Sequence, residues 1–90
     1  MKSFGELFRK YLAFVFIVAE GQTAYIPGIE ETISQIPEDV LPQSPAVEEY
    51  GRVVDWLMYK RHFAGYSEGD LFEECSRAFY FAKKDFLEEG

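Results

Sequence analysis

The stretch Tyr11-Leu12-Ala13-Phe14-Val15-Phe16-Ile17-Val18-Ala19 is the longest apolar run in the chain, set between Arg9-Lys10 and Glu20. Its reading decides the fold. Phe4, Leu7, Phe8, Tyr11, Leu12, Val15 and Val18 recur three and four apart, before and through the run, which predicts a helix over residues 3–20. Phe14 to Val18 is all aromatic or β-branched and would also suit a buried strand, but helical spacing covers more of the segment. Nine residues of helix span only ~14 Å, well short of a ~30 Å bilayer core, so no membrane span is expected. Lys2, Arg9 and Lys10 ahead of an apolar core also fit a signal peptide. Glu6 in the would-be basic region and the poor small-x-small site at Ala19 argue against one.

A helix that is apolar all round has to be buried all round. A chain of 90 residues has little material to wrap one element. Phe14, Phe16 and Ile17 point in different directions at ~100° per residue. The expectation is therefore a homodimer, with Phe14, Phe16 and Ile17 at the interface.

The rest of the chain reads as one helical domain, residues 1–90. Ser3 with Glu6 offers a capping box for the first helix, and Gly21 a stop. Residues 22–44 hold Pro27, Pro37 and Pro42, a Pro27-Gly28 turn signal, and one short helix expected from Glu30 to Ile36. Its isoleucines, with Tyr25, Ile26, Val40 and Leu41, make it a packed crossover rather than a linker. Ser44-Pro45 predicts the start of a helix over 45–63, with apolar faces Val47, Tyr50, Val54, Leu57, Met58 and Val53, Trp56, Tyr59, Phe63. Ser67-x-x-Asp70 caps a last helix over 68–88, whose seam is Phe72, Cys75, Phe79, Ala82 and Phe86. A short connection folds this helix back on its predecessor. The fold expected is all-α: three main helices and one short one in a small bundle, the last two an antiparallel hairpin.

The composition excludes several functions. Net charge is −7, which repels phosphate backbones, so direct nucleic-acid binding is not expected. A helix-turn-helix fails because Glu68, Asp70, Glu73 and Glu74 crowd the end that would meet bases. Cys75 and His62 are the only cysteine and histidine, which rules out a disulfide framework or a Cys/His metal cluster within one chain. Cys75 falls in a helix seam and reads as a structural thiol, and a reducing, cytoplasmic setting fits. His62 reads as a plain helix-end residue. No phosphate loop or nucleophile elbow occurs, and no catalytic residue, cofactor or metal is assigned.

What remains is an aromatic inventory of nine Phe, six Tyr and one Trp, more than a small core readily hides. The expected function is a non-enzymatic acidic protein-interaction module: a self-associating adaptor, inhibitor or immunity-type protein. Glu30, Glu31, Glu38, Asp39, Glu48 and Glu49 are the residues expected to meet a basic protein partner. Two alternatives stand beside it: a small-ligand carrier with an aromatic pocket at Trp56, Tyr59 and Phe63, or an acidic DNA mimic.

Overall fold

The computed structural model describes residues 3–19 and 28–89. Helix α1 spans Phe4–Ala19. The Glu6 N–H donates to Ser3 Oγ at 3.2 Å, which satisfies one of the free donors at the helix start. Phe4, Leu7, Phe8, Leu12 and Val15 are buried along the predicted stripe, and Phe16 widens it to a second side. Phe14 is 50% exposed and Val18 56% exposed, so the outer edge of the apolar run faces solvent.

Helix α2 spans Ile29–Ser34, starting one residue before and ending two before the expected Glu30–Ile36. It starts at Gly28, whose φ of 102° lies in the left-handed region that favours glycine. Ile29, Ile33 and Ile36 are buried, and Leu41 and Pro42 follow them inward, so this crossover is packed as expected. Arg9 fastens it to α1: its Nη1 donates to the carbonyls of Ile33 at 2.8 Å and Ser34 at 2.9 Å. These are carbonyls that the end of a helix leaves without intrahelical partners. The expected contributions of Tyr25, Ile26 and the Gly21 stop lie outside the described residues.

Helix α3 spans Gly51–Met58, and a single 3-10 turn, Arg61–Phe63, follows it. The expected helix over 45–63 is thus shorter at both ends. The Ser44 hydroxyl does accept the Ala46 N–H at 3.1 Å, but only one turn forms there. Ala46, Val47, Glu48 and Glu49 are all exposed, and a helical turn with no buried face does not propagate. The helix starts where Tyr50 finds ring partners in Phe72 and Phe79. At the other end Lys60 is extended, with φ −99° and ψ 134°, and the 3-10 turn swings Phe63 into the core. Val53, Val54 and Leu57 form one buried face; of the second expected face, Tyr59 is 88% exposed.

Helix α4 spans Glu68–Glu89, and its cap closes in both directions. The Asp70 N–H donates to Ser67 Oγ at 3.1 Å, and the Ser67 N–H donates to Asp70 Oδ2 at 3.2 Å. Its buried side is Leu71, Cys75, Ala78, Phe79 and Ala82. Three of these are small, which lets neighbours approach closely. α1 lies against it antiparallel. Phe4 meets Phe79 and Phe86 edge-on, with centroids 5.3 and 5.7 Å apart, while Phe16 meets Tyr66, just ahead of α4, at 5.3 Å. Tyr11 Oη donates to Asp85 Oδ2 at 2.7 Å. α3 runs antiparallel to α4 as well: Tyr50 sits by Phe79, and Phe63 by Tyr66. The hairpin expected from the sequence is therefore present, and α4 is the spine shared by α1 and α3.

Candidate protein-interaction surface

A groove of about 600 Å³ lies where the turns after α2 meet the start of α3 and of α4. Val40, Leu41 and Phe72 give it an apolar floor, and Asp39, Glu49 and Asp55 give it carboxylates. Three local facts build it. Gln43 Nε2 donates to the carbonyls of Glu38 at 2.8 Å and Leu41 at 2.7 Å, which closes the loop carrying Asp39 and Val40. Arg52 Nη1 donates to the Asp39 carbonyl at 2.9 Å, which ties that loop to α3. Phe72 is 40% exposed because only part of its ring is covered, by Tyr50 at a centroid distance of 6.2 Å.

The six carboxylates singled out in the sequence are all exposed, but they do not gather at one place. Asp39 and Glu49 share the groove. Glu38 lines a separate cleft of about 140 Å³ with Ser3 and Glu6. Glu30 lines another of about 220 Å³, beside Arg9 and Lys10. Glu31 stands in the first turn of α2, and Glu48 precedes α3.

Sequence reasoning missed Asp55 and Phe72. Asp55 lies on the exposed side of α3, and nothing in its spacing sets it apart from other surface carboxylates. Phe72 was placed in the α4 seam, whose buried centre turns out to run through Leu71, Cys75 and Ala78. The signal available was its place at the first turn of that seam, followed directly by Glu73 and Glu74.

Trp56, Tyr59 and Phe63 do not line a common pocket. Phe63 is buried against Phe16 at 4.9 Å, Tyr59 points into solvent, and the face of Trp56 is covered by Lys60 Nζ at 4.2 Å. The extended Lys60 is the reason, since it ends the helical register that would have aligned all three. Phe16, expected at a dimer interface, is 1% exposed and sits in the core with Phe63 and Tyr66. Its neighbour Ile17 is half-buried and Phe14 faces out.

Cys75 is buried, and its thiol is pushed up to about 12, by burial first and by the Glu74 charge second. Such a thiol is inert at neutral pH. His62 does more than end a helix: its Nδ1 shares a hydrogen bond with Thr32 Oγ1 at 3.2 Å, linking the 3-10 turn to α2.

Among the described residues no three His, Cys, Asp or Glu side chains converge on a metal-sized site. No described helix is long and apolar enough to cross a membrane. The chain matches no protein-family model, no curated protein and no solved structure.

Proposed function

We propose that this chain is a non-enzymatic acidic protein-interaction module, an adaptor, inhibitor or immunity-type protein of the cytoplasm, that binds a basic protein partner. One observation carries the reading. Glu30, Glu31, Glu38, Asp39, Glu48, Glu49 and Asp55 make no ion pair with any described residue, whereas Glu73 and Glu74 share Arg77 at 3.4 and 3.8 Å. Carboxylates that have no ion pair among the described residues, three of them (Asp39, Glu49 and Asp55) beside an apolar floor, suit a partner that brings the opposite charge. The test is a pull-down with the tagged protein from its source cells at 50 and 500 mM salt, on the order of a threefold change in screening length. A stoichiometric basic protein retained only at low salt supports the reading; retention of acidic or neutral proteins alone refutes it.

A second reading, self-association, is favoured by the outer edge of α1 and α4. Phe14 and Val18 are exposed on α1, Tyr80 and Leu87 on α4, and Tyr11, Phe14 and Phe81 form a continuous ring cluster with centroids 5.9 and 6.4 Å apart. Sedimentation at micromolar concentration tests it, and a pure monomer there removes it.

A further inference from the structure

We infer that the groove between Val40, Phe72 and Asp55 receives an arginine side chain presented by an extended basic segment of the partner. This inference rests on the protein-interaction reading above and narrows it to one chemistry. Three features of the groove select that chemistry. Its volume of about 600 Å³ has room for an arginine side chain with a short length of extended chain beside it. Its floor includes the partly open ring of Phe72, and a planar guanidinium stacks on an aromatic face while its aliphatic stem covers Val40 and Leu41.

Its charge is the third feature. Asp39, Glu49 and Asp55 outnumber the one cation, Arg52, and none of the three carboxylates has an ion pair among the described residues. Arg52 directs an Nη1 donor to the Asp39 backbone carbonyl, so it stiffens the wall. A guanidinium presents its donors in a fixed fork and can face carboxylates while its plane lies on a ring. A lysine ammonium is a more strongly hydrated point charge and gains less from the ring.

The test is an NMR titration of the full chain with hexa-arginine and with hexalysine at low salt. Equal peptide charge isolates the side-chain chemistry. The result expected is tighter binding of the arginine peptide, by about fivefold. The largest shifts should fall on the amides of Val40, Gly51 and Phe72. Phe72→Ala should remove the preference for arginine while leaving weaker, charge-driven binding. Asp55→Asn, an isosteric change on an exposed side chain, gives an independent check should Phe72→Ala fail to fold, and should weaken binding of the arginine peptide more than that of hexalysine. Equal affinities, with shifts spread over the carboxylates of residues 30–55, would overturn the arginine groove and leave the basic-partner reading standing. An arginine preference that survives in a folded Phe72→Ala protein would also overturn it. No binding of either peptide would refute both readings.

Discussion

The imidazole of His62 lies directly against the α-carbon of Gly28, where a β-carbon would collide with Nε2. Two requirements meet at this one position. The backbone at Gly28 has a φ of 102°, which side-chain-bearing residues rarely adopt, and the space beyond it is filled by a ring that also bonds Thr32.

Gly28→Ala should therefore destabilise the fold by roughly 2–4 kcal/mol, the sum of a strained backbone and a steric clash. Adding His62→Ala should relieve the clash but not the strain. A double-mutant cycle in urea would show a coupling of ~1 kcal/mol or more. Gly5 is the control. A β-carbon there would sit 3.5 Å from Leu41 Cβ and the Pro42 carbonyl, ordinary contact. Gly5→Ala should be neutral or stabilising, by up to ~1 kcal/mol. If both alanines behave alike, the geometry at Gly28 does not matter for stability.

Arg9 should matter through its hydrogen bonds rather than its charge. Replacing it by methionine keeps much of the stem and removes its bonds to the Ile33 carbonyl, which still accepts the Ile36 N–H, and to the exposed Ser34 carbonyl, at a cost of roughly 0.5–1.5 kcal/mol. Hydrogen exchange in α2 should rise more than in α4. Uniform acceleration over the whole chain would instead mean that Arg9 acts on global stability alone.

Phe14 and Phe16 are two residues apart and should respond very differently. Phe16→Ala empties a place in the core and should cost about 3–5 kcal/mol. Phe14→Ala should change monomer stability by less than ~0.5 kcal/mol. If the exposed edge of α1 joins two copies, Phe14→Glu lowers the sedimentation coefficient at micromolar concentration without lowering the thermal midpoint of the monomer.

The Cys75 thiol gives a pH signature with a defined sign. Burial raises its folded value from 9.0 to about 12, so the folded chain holds the proton where the unfolded chain gives it up. Its contribution is complete below pH 9 and is lost as pH rises from 9 to about 12. Wild-type stability should fall faster than that of Cys75→Ala over this range, by up to ~4 kcal/mol in all. At neutral pH an aromatic disulfide reagent should label Cys75 only at the rate of unfolding. Equal slopes, or fast labelling of folded protein, would show the thiol to be accessible.

The helices and their order were legible because spacing and caps agreed. Ser67 and Asp70 announced α4, and both bonds of that cap form. The start of α3 was not legible. Ser44-Pro45 has the local chemistry of a helix start, but whether a turn propagates depends on a buried face, and Val47 has none. The place of Phe63 was hidden for a related reason: one extended residue, Lys60, changes the register after it. The carboxylates were visible one by one. What the sequence did not disclose was which of them share a groove, because Asp39 and Asp55 come together only through Arg52 and the fold of the loop.

The antiparallel contact of α1 with α4 also sets an order of events during synthesis. Phe4 is made well before its ring partners Phe79 and Phe86, which belong to α4. A ribosome needs on the order of 4–15 s to cover that interval. Until then the run from Tyr11 to Ala19 has none of α4 to lie against. The α3–α4 hairpin closes a short loop and can form as soon as it emerges, whereas docking of α1 on α4 closes a much longer one and must come later. A nascent chain stalled before residue 71 would present that apolar run to whatever is nearby. Chaperone occupancy of stalled intermediates should therefore drop sharply once α4 has left the exit tunnel.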